Sequence, residues 1–394
     1  SALGGSLVGS EMCIRDRRMV MTKKLEGAGL RGQVAGQTAL STVGKEGKGL
    51  TYRGYAIETL TEKSSFEEVA YLLLYGKLPN QDEFVHYKQK LRQFRKLPND
   101  LKLVLAKIPK STHPMDVLRT GCSMLGNLEP EGDFKNQNDT ADRILSVLPS
   151  IMTYWYRSSH FGEDIETLTD HDTIGGHFLS LLTNSEPSDE QIKALDTSLI
   201  CYAEHGFNAS TFTARTCAST LSDMHSCITA AIGTLRGPLH GGANEAAMEM
   251  IEQFSSRDDA NIGIKVMLEN KEKIMGFGHA VYSNEDPRNK IVKAWSERLS
   301  KTAKNPIIYE ISEEIEKVMK EEKNLFANTD FYMASAYNFL GIPTPIFTPL
   351  FVIGRTSGWA ANVMEQRADN RIIRPSEEYV GPDSAEWIDI KDRI

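Results

Sequence analysis

The sequence predicts an all-α fold with one small β element near the N-terminus. Three observations carry this. Helix start and stop signals recur along the 394 residues. Only residues 38–55 read as a hairpin, with TALSTV and LTYRGY as β-prone runs around the turn GKEGKG. No GxGxxG or Walker motif and no alternating strand–helix pattern is present, which argues against a nucleotide-binding parallel sheet.

The helical signals run in order. Ser65 and Glu68 form a capping box ahead of FEEVAYLLLYG, which Gly76 and Pro79 close. Asn80 and Glu83 open the next helix, expected to run toward Pro98. Pro114 suits a first helical position in HPMDVLRTG. Residues 127–140, NLEPEGDFKNQNDT, are polar and turn-rich and read as an exposed loop. Ser188 and Gln191 open EQIKALDTSLICYAEHG. Asp286-Pro287 precedes RNKIVKAWSERLSK, and SEEIEKVMKEEKNLF is strongly helical.

Hydrophobic residues make up 40% and charged residues 25%, the mix of a globular chain able to bury a sizeable core. The net charge of −8 argues against a nucleic-acid partner, and no apolar run is long enough to cross a membrane. An anionic substrate would need a local arginine cluster working against that field. The five cysteines are scattered with no CxxC pair, so neither a metal site nor a disulfide framework is expected. A reducing, cytoplasmic compartment fits. Residues 1–18 differ in composition from the rest of the chain. They read as a disordered or non-native extension over 1–21, with a start at Met19 or Met21.

Four segments are unusual for a plain helical scaffold: EHGFNAS from Glu204, RGPLHGGANE from Arg236, MGFGHAVY from Met275 with DPR after it, and NTDFY from Asn328 with Arg355, Arg367, Arg371 and Arg374 after it. Glycines beside His240 and His279 allow a ligand to approach the backbone closely. His240 falls just before a helical run, where the positive helix end disfavours imidazolium. A neutral histidine can still donate one hydrogen bond to a carbonyl. Asp330 also precedes a helical run, where an ionised carboxylate is favoured. A neutral donor and an ionised carboxylate together can enolise a carbonyl compound. Singly, these features are a surface histidine, a turn and a helix cap. Their co-occurrence is the signal.

GPLHGGANE, GFGHAVY…DPR, NTDFY, TPLFVIGRTSGWAANVMEQ and RIIRP resemble, in order, the active-site blocks of the citrate synthase family, from about residue 24 to the C-terminus. The resemblance implies a fold with a large helical domain (22–240 and 342–394), a smaller one (241–341) that closes over it, and a short N-terminal hairpin. It implies an acyltransferase joining an acyl-CoA to oxaloacetate, with His240 on the thioester oxygen, Asp330 taking the α-proton and His279 on the oxaloacetate ketone. His205, Arg288 and Arg355 would hold oxaloacetate, with Arg374 supplied across a homodimer interface. Leu239 and Ile274, Met275, Gly276, Phe277 and Gly278 would line the CoA site, with Lys273, Lys323 and Arg367 on its phosphates. No tightly bound cofactor or metal is implied; the CoA thioester is a substrate. Residues 29–55, the stretch from Tyr154 to His160, and TIGGHFL with His177 look more like the 2-methylcitrate branch, which uses propionyl-CoA and acetyl-CoA. A citrate synthase using mainly acetyl-CoA is the alternative. A non-catalytic helical interaction protein is the remote one. Ala327 and Asn362 depart from the family pattern, which has proline and histidine there.

Overall fold

The computed structural model describes residues 28–30, 32–45, 49–279, 281–282 and 285–393. The expected extension over 1–21 lies outside these. The described residues up to Ala39 belong to a first unit, with a single 3-10 turn at Ala28–Leu30. Leu40–Ile394 is a second unit.

The second unit opens with the expected hairpin. Strands β1 (Ser41–Lys45) and β2 (Gly49–Tyr52) pair antiparallel, with Ser41 opposite Tyr52 and Val43 opposite Leu50. Residues 46–48 of the expected turn lie outside the described residues. A short β3 (Tyr55–Ala56) completes the sheet. Buried Tyr52 donates its hydroxyl to the Ile200 carbonyl at 2.9 Å, which ties the sheet to the helices.

Sixteen helices come after the sheet among the described residues. They are α1 (Ile57–Lys63), α2 (Phe66–Tyr75), α3 (Gln81–Gln93), α4 (Asn99–Ala106), α5 (Pro114–Leu128), α6 (Gln137–Phe161), α7 (Ile174–Thr183) and α8 (Asp189–Tyr202), then α9 (Ala209–Ser219), α10 (Met224–Leu235), α11 (Ala243–Ile251), α12 (Arg257–Glu269), α13 (Pro287–Ser300), α14 (Ile307–Lys323), α15 (Thr329–Phe339) and α16 (Phe347–Ala368). The capping boxes at Ser65/Glu68, Asn80/Glu83 and Ser188/Gln191 all form, and Gly76 closes α2 at φ 84°. Each box satisfies two backbone donors that the helix start would leave unpaired. The helix from Asn80 stops at Gln93, short of Pro98, which instead precedes α4.

Helix α16 is buried along nearly its whole length and packs against α2, α6, α8, α9 and α10. A helix buried all round needs neighbours on every side. Glycine allows the closest of these approaches. A Cβ on Gly358 would stand 2.1 Å from the Ala203 carbonyl oxygen, and one on Gly354 2.9 Å from that of Leu199. Helices α11 to α15 pack chiefly on one another, with α13 against α15 and α12 against α14. In α14 the apolar positions Ile308, Ile311, Ile315 and Val318 repeat at helical spacing and face inward.

The polar stretch 127–140 is only in part the exposed loop expected, which is confined to residues 129–136. Helix α5 continues to Leu128 and α6 begins at Gln137. Between them Glu131 is buried, because the Arg367 guanidinium grips its carboxylate at 2.8 and 2.9 Å. The Met224 amide also donates to Glu131, at 2.7 Å. Paired burial of this kind is sensitive to removal of one partner. Arg367→Met is therefore expected to destabilise the chain by about 3–5 kcal/mol, since it strands the Glu131 carboxylate in the interior. Denaturant unfolding at one protein concentration tests this, and a loss below about 1 kcal/mol would place the pair among ordinary surface bridges.

Candidate active site

A strand, four chain segments and two helices meet around a cavity of about 780 Å³. Its walls include Val43 of β1, His205–Ala209 between α8 and α9, and Leu239 and His240 between α10 and α11. Lys273 and Phe277–His279, Arg288 on α13, Asn328–Asp330 at the start of α15, and Phe351 and Arg355 on α16 complete it.

Each histidine is fixed by the backbone around it. The His240 Nε2 accepts a hydrogen bond from the Ser210 amide at 3.1 Å and lies 2.8 Å from the Ser210 hydroxyl. A nitrogen that accepts carries no proton, so the neutral ring is protonated at Nδ1. Trp359 Nε1 donates to the Ser210 hydroxyl at 3.1 Å and holds that partner in place. Burial, helped by Arg355, pushes the His240 imidazole down to about 4. His279 is arranged the opposite way round. Its Nδ1 accepts from the amides of Val281 (3.0 Å) and Tyr282 (3.3 Å), which leaves the proton on Nε2. Burial and then Arg288 hold it below the ordinary histidine range. His205 is buried 5.1 Å from the His279 ring, centre to centre, and hydrogen-bonds the Tyr282 hydroxyl at 3.0 Å. Burial and the nearby Arg288 and Arg355 keep it uncharged. The cavity thus holds three neutral histidines.

Asp330 is in the first turn of α15 but is not its cap. Asn328 is, accepting from the Asp330 amide at 3.1 Å. This leaves the Asp330 carboxylate free to turn inward, deep in the fold yet open to the cavity, where its Oδ1 accepts the Tyr202 hydroxyl proton at 2.6 Å. Asn244 donates to the same hydroxyl oxygen at 3.2 Å. The expected dominance of the helix start is not what the structure shows. Burial pushes the Asp330 carboxyl above the usual range, and Tyr202, Arg288 and Arg355 only partly offset it. A carboxylate made more basic by burial is a better proton acceptor.

The arginines differ sharply. The Nε and Nη2 of Arg288 donate to Asp286 at 2.9 and 2.7 Å, and its Nη1 lies 3.5 Å from the Cys201 carbonyl oxygen. Arg355 is buried, donates Nε to the Tyr202 carbonyl at 2.5 Å, and has an Nη1 with no hydrogen-bond partner among the described residues. Burial lowers its guanidinium to about 10 despite Glu204, so it stays charged at neutral pH. A buried, charged donor without a partner at a cavity wall suits a carboxylate ligand.

The other expected residues separate. Leu239, Lys273, Phe277 and Gly278 line the cavity. Ile274, Met275 and Gly276 do not line it. Gly276 has φ 86°, and a Cβ there would stand 2.8 Å from Phe331 Cβ. Lys323, at the end of α14, and Arg374, beyond α16, are exposed and away from it. Arg367 is corrected outright, since its guanidinium is committed to Glu131 and stacks 3.8 Å over the Phe134 ring. His177 is likewise away from the cavity, buried between Ser150 and Thr169 at 3.0 Å each. Asn362 sits closer to the site than expected. It donates to the Glu204 carboxylate at 3.0 Å, next to His205, and accepts from Arg215 at 3.0 Å. Sequence reasoning missed Tyr202 and the roles of Asn244 and Ser210, although the last two lay within segments already singled out.

The family model described as "Citrate synthase, C-terminal domain" matches residues 29–376. The chain belongs to the citrate synthase family. It is 60% identical to the 2-methylcitrate synthase of Shewanella oneidensis, over 94% of this chain and 99% of that protein. It is 42% identical to citrate synthase 2 of Bacillus subtilis, over 93% and 98%. Among solved structures, the Thermoplasma acidophilum citrate synthase in ternary complex with carboxymethyl coenzyme A and oxaloacetate superposes with TM-score 0.88 at 30% identity, covering 93% of this chain and 99% of that one. The Thermotoga maritima citrate synthase gives 0.83 at 36%, covering 94% and 99%. The all-α fold expected from the sequence is the one found, and the chain is an enzyme of the transferase class.

If Asp330 must be ionised to act, activity rises with pH as its carboxyl loses a proton. The acid limb of the kcat/KM profile is expected above the ordinary aspartate range. Tyr202→Phe removes a hydrogen bond that favours the ionised form, so the limb should move to still higher pH. A limb that stays in place in the variant would assign it to another group.

Proposed function

We propose that the chain is a 2-methylcitrate synthase. It condenses propionyl-CoA, and also acetyl-CoA, with oxaloacetate and water to give 2-methylcitrate or citrate and CoA. The observation that carries the chemistry is one cavity holding a fixed neutral donor, His240, a buried carboxylate, Asp330, and a buried guanidinium, Arg355, whose Nη1 has no partner among the described residues. The 60% identity to a 2-methylcitrate synthase favours that branch.

His240 donates its Nδ1 proton as a hydrogen bond to the thioester oxygen. Asp330 removes the α-proton, so the developing charge on that oxygen is met by a donor already aimed at it. The enol carbon attacks the oxaloacetate ketone, whose oxygen takes the His279 Nε2 proton. Water then cleaves the thioester and releases CoA. His205, Arg355 and Arg288 hold oxaloacetate. Leu239, Lys273, Phe277 and Gly278 receive the CoA arm, backed by Ile274, Met275 and Gly276, and Lys323 meets its phosphates. Residues 241–341 act as the small domain and close over 22–240 and 342–394, excluding water. The mutual packing of α11–α15 supports this.

The site is shared in a homodimer, with Arg374 reaching the partner's cavity. An exposed C-terminal run with apolar Ile372, Tyr379, Val380 and Trp387 supports a partner surface. A cytoplasmic location fits the scattered free cysteines. Among the described residues no helix is long and apolar enough to cross a membrane.

Propionyl-CoA and acetyl-CoA differ by one methyl, worth about 1–3 kcal/mol in a pocket. Supplied in competition with oxaloacetate, propionyl-CoA should be preferred; a kcat/KM strongly favouring acetyl-CoA would make the chain a citrate synthase, as 42% identity to one would then indicate. Asp330→Asn should keep oxaloacetate binding by calorimetry but lose about 10²–10⁴-fold in kcat. Near-normal thiol release from it would show that a different base operates. Arg374→Ala should raise the KM for oxaloacetate. Mixing it with Asp330→Asn should restore part of the activity in hybrid dimers, and no restoration would rule out the shared site.

A further inference from the structure

Glu204 stands in the turn that leaves α8, immediately before His205, yet it does not line the cavity. It is buried behind the cavity wall. Donors from three parts of the chain meet its carboxylate. The Ser41 hydroxyl of β1 (3.1 Å) and the Gly206 amide (2.6 Å) reach Oε1, and the side-chain amide of Asn362 on α16 (3.0 Å) reaches Oε2. Gly358, one helical turn before Asn362, makes room for it, since a Cβ there would stand 2.6 Å from Oε2.

These contacts continue into a chain with one direction. Arg215 on α9 can only donate, and its Nη1 donates to Asn362 Oδ1 at 3.0 Å. Asn362 must therefore turn its Nδ2 to Glu204, where an ionised carboxylate can only accept. Arg215 also pairs with Glu365 at 2.7 Å and lies 4.4 Å over the Phe207 ring. Phe207 is a wall of the cavity, as are His205 and Gly206. The turn 205–208 is thus held from behind at the Gly206 amide and at the Phe207 ring, and Asn362 joins the two holders. On its other side the turn lies against β1, where a Cβ on Gly206 would stand 3.2 Å from Val43.

We propose that Glu204, acting through the turn 205–208 and tied to Arg215 by Asn362, is a positioning residue for oxaloacetate binding. It sets where the His205 ring stands and does not touch the substrate. This rests on the role of His205 under the proposed function. The His205 ring hydrogen-bonds Tyr282, a residue of the segment proposed to close over the site. Its place relative to α8 and α16 is therefore set by the backbone of its own turn. A binding group displaced slightly from its ligand loses much of its effect, so the anchor behind the turn matters to the site in front of it.

The test is a double-variant cycle on the full chain, read as the calorimetric Kd for oxaloacetate and as the KM for acyl-CoA at saturating oxaloacetate. Burial pushes the Glu204 carboxyl up to about 7, so every arm is read above that, where the parent is ionised. Glu204→Gln still accepts from Ser41 and Gly206 but turns an amide N–H toward Asn362 Nδ2, donor against donor. It should raise the oxaloacetate Kd several-fold and leave the acyl-CoA KM unchanged. Asn362→Asp sets a second carboxylate against Glu204 and should do the same. In the double variant the new amide donates to the new carboxylate, which still accepts from Arg215, so part of the loss should be recovered. Losses that simply multiply, or an acyl-CoA KM that rises as much as the oxaloacetate Kd, would leave Glu204 a structural role only. Ser41→Ala removes one donor and keeps the carboxylate, and should give a milder rise in Kd even where the other variants fold poorly; no rise overturns the proposal. His205→Ala separates the two readings. A Kd raised by it but untouched by Glu204→Gln defeats the positioning role alone. A Kd untouched by His205→Ala defeats the proposed role of His205, and this inference with it.

Discussion

Tyr202 is the contact on which the geometry of the cavity depends. It is the last residue of α8 and meets the chemistry with three of its parts. Its hydroxyl donates to Asp330, its carbonyl receives the Arg355 Nε, and its ring stacks 4.2 Å from that of Phe351. One residue, through its backbone carbonyl and its side chain, therefore sets the separation between the carboxylate on α15 and the cation on α16. A base and an anion-binding group are useful only at a fixed mutual distance, because small displacements cost large factors in rate. The close packing of α8 on α16, permitted by Gly354 and Gly358, is the structural condition for this contact.

Burial then sets the protonation states, and it does so against the intuition drawn from helix ends. His240 and Asp330 both lie near helix N-termini, where a positive end would lower the pKa of either group. For His240 burial and that field act in the same direction, and the ring is neutral. For Asp330 they oppose each other and burial wins, leaving a carboxyl shifted toward basicity. The outcome suits proton abstraction from a weak carbon acid better than a strongly acidic aspartate would. Glu204, pushed up to about 7 beside His205, obeys the same rule, although Ser41, Gly206 and Asn362 all hydrogen-bond its carboxylate.

What was legible in the sequence was local. Capping boxes, the hairpin and the glycine-flanked histidines are written within a few residues of one another, so Ser65, Ser188 and His240 could be placed directly. What was not legible was long-range pairing. Tyr202 ends a helix with no local mark of function, and its partners Asp330 and Arg355 stand 128 and 153 residues away. Arg367 escapes a sequence reading for the same reason. A lone arginine near an active-site block looks free until a buried glutamate 236 residues distant is found to hold it. Glu131, in turn, looks like part of an exposed loop because its neighbours Gly132 and Asp133 are turn formers. His177, which in the sequence looks like a mark of the 2-methylcitrate branch, does not touch the cavity, and its ring lies between Ser150 and Thr169 in the core.

The electrostatics of the cavity bear on how many chains complete it. A dicarboxylate entering a chain of net charge −8 needs at least two local cations to balance it. Arg355 offers one unengaged arm. Arg288 is buried in a bidentate pair with Asp286, whose carboxylate is held below its usual range even though burial opposes the charge. Freeing the Arg288 guanidinium would leave Asp286 buried without its cation, held only by the Arg288 and Thr329 amides at 3.0 and 3.2 Å, which is costly. Within the cavity the groups left to meet the second carboxylate are the Arg288 Nη1, which Asp286 does not engage, and Lys273, and under the proposed function a partner chain adds another cation. Arg374, exposed on the run beyond α16 and with no role in its own cavity, is a group of the right kind. Under the proposed function it meets the dicarboxylate from a partner chain.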